Sequence, residues 1–201
     1  MKKISLILLS ALMILTISCK KDKKESDVTD ETTVDTTTGD SSNKSETTNS
    51  DSKKITVKLE SKSASSVTGN AIFKQESGVV TMIAVLGGLS EGPHAIHLHE
   101  SSDCSSADGT STGGHWNPTA EAHGKWGAAK GFHKGDIGNF IADANGNGTI
   151  TFITSEWCIG CGDPKKDILG KAVIVHQGVD DFTSQPTGDA GGRVSCGGII
   201  E

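Results

Sequence analysis

Seven histidines occur in this chain, and all of them fall between His94 and His176. His97 and His99 are two apart. On an extended strand such residues project from one face, so both imidazoles aim at one point and suit a metal that takes nitrogen ligands. His94, three residues earlier, projects from the opposite face and is expected to support rather than ligate. Further on come His115, His123, His133 and Asp136. Three imidazoles and one carboxylate make a closed tetrahedral set for zinc, with no position left for substrate. His176 ends the apolar run Ala172-Val173-Ile174-Val175 and can join His97 and His99. An all-imidazole site with an open position suits copper by ligand type and geometry.

The elements that must position these residues read as short strands. Residues 55–60 alternate apolar and polar, as a half-buried strand does. Residues 69–74 and 79–86 are two β-rich runs joined by the hairpin signal Gln75-Glu76-Ser77-Gly78. Residues 93–99 alternate again. Residues 138–142 and 149–154 flank the turn Asn145-Gly146-Asn147-Gly148, and 171–176 and 193–197 complete about eight strands. No stretch keeps a helical period, and 25 glycines suit a turn-rich antiparallel protein. The expected fold is all-β: an eight-stranded antiparallel Greek-key barrel or immunoglobulin-like sandwich. Two long stretches, about 100–137 and 177–192, are not strands. Loops of that length need a reason, commonly function, and both carry the polar, metal-seeking residues.

The ends of the chain read differently. Met1-Lys2-Lys3, an apolar run over 4–17 and Ser18-Cys19 resemble a bacterial lipoprotein signal, with Cys19 the lipidated residue. Residues 20–54 are almost all Ser, Thr, Asp, Glu and Lys, too polar to offset their ordering entropy, and are expected to form a flexible tether. The expected organisation is thus signal 1–18, lipidated Cys19 and tether 19–54, and one folded domain 55–201. A net charge of −6, with Lys2 and Lys3 included, offers no basic patch for nucleic acid. Of five cysteines, Cys104, Cys158, Cys161 and Cys196 remain in the folded part. An even number in an exported chain suggests two disulfides, and three pairings are open, with Cys158 and Cys161 near enough to join each other.

Several segments together resemble the copper/zinc superoxide dismutase family. Gly92-Pro93-His94-Ala95-Ile96-His97-Leu98-His99-Glu100 is similar to its copper strand. Gly113-Gly114-His115-Trp116-Asn117-Pro118 is similar to its bridging-histidine segment, and Gly131-Phe132-His133-Lys134-Gly135-Asp136-Ile137-Gly138-Asn139 to its zinc segment. Residues 170–181 and 188–197 match the last copper ligand and the arginine-containing end, so the resemblance spans about 55–200. It implies copper on His97, His99, His115 and His176, and zinc on His115, His123, His133 and Asp136, with His115 as an imidazolate bridge. It implies that Asp180 hydrogen-bonds His97 and His123, that Arg193 attracts the anionic substrate, and that Cys104 pairs with Cys196. The implied reaction is dismutation of superoxide to oxygen and hydrogen peroxide, protecting a bacterial cell envelope from superoxide outside the cytoplasm. Copper carries the electron, while the protein supplies orientation, charge and a proton. A lipid would hold the enzyme on the membrane, facing periplasm or exterior, and a homodimer is an allowed assembly.

Two departures from the family pattern stand out. The stretch 177–192 holds Asp180, Asp181 and Asp189 but no lysine, so steering is expected to rest on Arg193 and on lysines elsewhere, such as Lys130 or Lys134. Trp157-Cys158-Ile159-Gly160-Cys161-Gly162 is an insertion. It lacks the βαβ context of a thioredoxin-like site and a second pair for zinc, which leaves a local disulfide as the expectation. Two rival readings are a metallohydrolase, which has no use for a shared histidine or Arg193, and a non-catalytic metal-binding lipoprotein, which would show loss of a copper ligand or of Arg193.

Overall fold

A computed structural model describes residues 52–201; the signal-like segment, Cys19 and nearly all of the tether lie outside the described residues. Eight strands follow in order: β1 (Lys53–Ser61), β2 (Thr68–Glu76), β3 (Val79–Gly87), β4 (Gly92–His99), β5 (Gly138–Ala142), β6 (Gly148–Thr154), β7 (Ala172–His176) and β8 (Arg193–Gly198). All pairs are antiparallel, and the ring β1-β2-β3-β6-β5-β4-β7-β8 closes on itself. Because β3 neighbours β6 and β4 neighbours β7, the connections cross as in a Greek key. The strand β1 begins at Lys53, two residues before the alternation starts. The β2–β3 hairpin is tighter than its sequence suggests: Glu76 pairs with Val79, and only Ser77 and Gly78, both at positive φ, make the turn. Apart from one 3-10 turn at Thr110–Thr112, the described residues contain no helix.

The barrel interior is filled from the alternating faces, with Val57, Leu59, Phe73, Met82, Ile96, Leu98, Val173 and Val175 all buried. β4 and β7 are buried on both faces. Ile96, Leu98, Val173 and Val175 point into the barrel, so His97, His99, Ile174 and His176 lie on its outer wall. That wall is roofed by the two long connections, 100–137 and 177–192, at the bounds read from the sequence. The site therefore rests on paired strands, where His97 and Ile174 are register partners, while loops close over it. A third connection, 155–171, also lacks strand or helix. Cys104 is bonded to Cys196, tying the first loop to β8, and Cys158 is bonded to Cys161 inside the third loop.

Candidate metal centre

Two groups of donors assemble under the loops. His97, His99, His115 and His176 form one and His115, His123, His133 and Asp136 the other. Within each group the donor atoms lie within 4.8 Å of one another, and every member is buried. The rings are in mutual contact distance: the His97 and His115 centroids are 4.0 Å apart, His99 and His115 5.0 Å, His115 and His123 5.3 Å. All six sequence-predicted histidines and Asp136 are thus brought together. His94 is not among them. Its Nδ1 is 2.9 Å from the His176 carbonyl and its Nε2 2.9 Å from the Ser90 carbonyl, so it supports the end of β7, as its opposite-face position implies.

Each of these six rings except His115 has one nitrogen committed to an acceptor outside the two donor groups. His97 Nε2 donates to Asp180 Oδ2 at 2.9 Å, and His99 Nδ1 to the Gly113 carbonyl at 3.0 Å. His176 Nδ1 donates to the Gly191 carbonyl at 3.3 Å, His133 Nε2 to the Glu121 carbonyl at 3.1 Å, and His123 Nε2 to Asp180 Oδ1 at 2.9 Å. Such bonds fix ring orientation and leave the second nitrogen as a lone-pair donor. The remaining atoms are His97 Nδ1, His99 Nε2, His176 Nε2, His123 Nδ1, His133 Nδ1 and His115 Nε2, all buried without a hydrogen-bond partner. A protein interior does not normally orphan six polar atoms; convergent imidazole nitrogens fit metal ions. His115 alone offers a nitrogen to each side, because its Nδ1 is 2.8 Å from Asp136 Oδ1.

The electrostatics follow from burial. Desolvation lowers the pKa of His115 to about 4 against the pull of Asp136. Desolvation also depresses His99 and His176 strongly, helped by neighbouring imidazoles, and lowers His97 despite Asp180. These rings are held neutral, the form that ligates. For His123, desolvation is outweighed by Asp136 and Asp180, which raise it to about 9. Burial opposes the charge on Asp136, but the adjoining imidazoles of His115, His123 and His133 and the His133 backbone N–H keep its carboxyl far below the usual range; His123 and His97 do the same for Asp180.

Two glycines allow the loops to close. At Gly188, where φ is +70, a Cβ would stand 1.8 Å from Asp180 Oδ1; at Gly135 it would stand 2.2 Å from the Leu98 carbonyl of β4. Arg193 opens β8 beside the first group. Its guanidinium donates to the Gly109 carbonyl (2.8 Å), Thr112 Oγ1 (2.9 Å) and the Gly113 carbonyl (2.8 Å). The Gly113 carbonyl also takes the His99 proton, so Arg193 and a donor ring share one acceptor. Among the described residues no carboxylate forms a salt bridge with Arg193.

The profile of the copper/zinc superoxide dismutase (SODC) family matches residues 67–199. The chain belongs to the copper/zinc superoxide dismutase family. A superoxide dismutase [Cu-Zn] 2 from Brassica juncea is 37% identical over an alignment of 142 residues that covers 67% of this chain and 90% of that protein. Among solved structures, a double mutant of a SOD-like protein from Bacillus subtilis is 27% identical at a TM-score of 0.65, covering 73% of this chain and 97% of that one. The clock protein EA4 is 33% identical at a TM-score of 0.63, covering 73% and 94%. As a copper/zinc superoxide dismutase the protein is an oxidoreductase acting on superoxide, and its family's cofactors, copper and zinc, match the two donor sets.

Several parts of this superoxide dismutase's site escape sequence reading. Asn139 exchanges two hydrogen bonds with the Asp180 backbone, at 2.8 Å each. Gln185 clasps the backbone of His123, accepting its N–H and donating to its carbonyl at 2.9 Å each. Asn139 lies in the segment 131–139 that resembles the family's zinc segment, yet a side chain that bonds distant backbone leaves no spacing signal. One expectation is corrected. Lys134 is not free to steer an anion, because its ammonium is paired with the Glu156 carboxylate and lies 5.4 Å from the Phe132 ring. Lys130 is exposed.

Proposed function

We propose that this enzyme dismutates superoxide outside the cytoplasm at a copper joined through one histidine to a zinc. His97 Nδ1 and the Nε2 atoms of His99, His115 and His176 would hold copper. The Nδ1 atoms of His115, His123 and His133, with the Asp136 carboxylate, would hold zinc. When bound, copper supplies the one-electron couple that takes an electron from one superoxide and returns it to the next. The observation that carries this reading is the membership of His115 in both donor groups, with one ring nitrogen toward each.

The chain's own residues do the rest. Arg193 presents a fixed positive charge beside the first group and attracts the anion. His115 Nε2 is the atom suited to hold a proton for the peroxide product, because burial keeps that ring neutral and a donor to each side. Asp180 locks His97 and His123 through one carboxylate, so the two sites move as one body. The assay is superoxide consumption by protein loaded with copper and zinc against protein loaded with zinc alone. Activity only in the copper-loaded form is expected; inertness of both forms would leave a metal-binding protein without catalysis.

The setting is the cell envelope of a bacterium. The apolar run before Cys19 and the polar tether support a lipid anchor, and two disulfides suit an oxidising compartment. Cys19→Ala is expected to abolish labelling by a fatty acid and to release the enzyme from membranes. Continued membrane association of that variant would show that a lipid on Cys19 is not what holds the protein there. Exposed Ile83, Val85 and Ile153, on neighbouring strands β3 and β6, support self-association of two copies, which sedimentation would show as a dimer or refute as a monomer.

A further inference from the structure

The connection 155–171 holds residues that dismutation does not use. Trp157 is 1% exposed and is the largest fully buried side chain. Its Nε1–H donates to the Lys134 carbonyl at 2.8 Å, and Lys134 directly follows His133 and stands two residues before Asp136. The indole lies in an aromatic cluster, with ring centroids 5.0 Å from Phe152, 5.9 Å from Trp126 and 6.3 Å from Phe73. Trp126 in turn meets Phe132 at 4.8 Å. Trp126 is three residues past His123, and Phe132 immediately precedes His133. Both arms of the loop that brings His123 and His133 together are therefore gripped from below, and Trp157 reaches the backbone between two donors.

Trp157 is itself held in place. The next residue, Cys158, is bonded to Cys161. The Cys158 N–H donates to the Lys166 carbonyl, and its own carbonyl accepts from the Ile168 N–H. Asp167 accepts the N–H groups of Gly160, Gly162 and Leu169, and the Ile159 N–H donates to Gln75 Oε1 at 2.7 Å. A disulfide that closes so short a loop removes little entropy from the unfolded chain. Its effect is local order, here in the segment that carries the indole.

We propose that Trp157 is a positioning residue for the His115, His123, His133 and Asp136 group, acting through the Lys134 carbonyl and the Trp126–Phe132 pair, and that the Cys158–Cys161 disulfide is the clasp that keeps the indole seated. This rests on the reading that the group holds zinc. Partners one layer behind a metal's ligands commonly change its retention by 10–100-fold. Replacing Trp157 by Phe keeps an aromatic ring but removes the N–H donor together with the five-membered ring that carries it. Replacing both cysteines by Ser opens the clasp and leaves every donor in place.

The test uses the full protein with copper in the first group and cobalt(II) as the spectroscopic probe in the second. Two quantities are read: the visible absorption band of cobalt, which reports its geometry, and the rate at which a chelator removes it. W157F and C158S/C161S are each expected to lose cobalt about ten-fold faster or more, with an altered band and with copper release changed less than cobalt release. A wild-type protein that takes up no cobalt in this group would remove the zinc reading itself. A wild type that binds cobalt, with both variants holding it as tightly and with the same band, overturns the positioning role even if their melting temperatures fall. Where W157F does not fold, C158S/C161S alone decides the same question.

Discussion

His176 and Arg193 are partners across the β7–β8 ladder, where a bulge at Val175/His176 shifts the register. Without that bulge Arg193 would not lie opposite the last imidazole of the first donor group. Its guanidinium spends its hydrogen bonds on two carbonyls and a hydroxyl, so its charge is left for an anionic substrate. Arg193→Ala is expected to lower kcat/KM by about ten-fold or more with metal content unchanged. Arg193→Lys should recover part of the loss, since it keeps the charge but not the planar fork. An unaltered rate in the alanine variant would remove Arg193 from substrate attraction.

Steering by the rest of the protein should be weak. The loop 177–192 contains no lysine or arginine, and Lys134 is neutralised by Glu156. The rate is therefore expected to decline only slightly as salt is raised through the range where Debye screening becomes strong. A steep decline would mean that a cationic funnel exists elsewhere on the surface.

The Asp180 carboxylate couples the two donor groups, with one oxygen on His97 and the other on His123, at 2.9 Å each. Asp180→Asn should weaken retention of both metals by about 10–100-fold, because an amide cannot accept from both rings. Chelator competition with each metal measures this; loss of neither would show that Asp180 is dispensable as an orienting group.

Acid should destabilise protein stripped of metal more than alkali does. His97, His99, His115 and His176 have lowered folded-state pKa values, His115 about 4. Between that value and the ordinary 6.5 the unfolded chain binds more protons, so stability rises with pH and is lost as pH falls through the window. His123 has the opposite sign. Raised to about 9, its contribution is full below 6.5 and fades as pH rises toward 9. Thermal melting of chelator-treated protein should therefore peak near neutrality and fall more sharply toward pH 4 than toward pH 9. A melting temperature that rises on acidification would contradict the burial of these rings.

The Cys104–Cys196 bond joins residues 92 apart in sequence. Cross-links that close loops of this size stabilise by about 4.6 kcal/mol in the chain-entropy account. Replacing both cysteines by Ser should lower stability by roughly that order and loosen the loop that holds Gly109 and Gly113 against Arg193. Denaturant unfolding of metal-loaded protein checks the first effect, and activity the second.

The site was legible because its ligands are chemically conspicuous and because strand periodicity is simple. His97 and His99 point the same way for the reason that His94 does not, and the structure follows that rule. The two functional loops begin and end where the alternation stops. What was hidden depends on contacts between distant backbone and side chains. Nothing near Asn139 or Gln185 in the sequence announces the Asp180 or His123 backbone. Trp157 was visible only as part of an insertion, since its indole reaches Lys134 across 23 positions. Lys134 looked like a free cation because its partner, Glu156, is brought to it by folding alone.

The proposed mechanism requires one imidazole to serve two metals. Crystals of protein loaded with copper and zinc, with diffraction recorded at both absorption edges, test it directly. Copper is expected beside His115 Nε2 and zinc beside His115 Nδ1, each at about 2.0–2.1 Å. A His115 ring bound to one metal only, with the other held by a different set of residues, would contradict it.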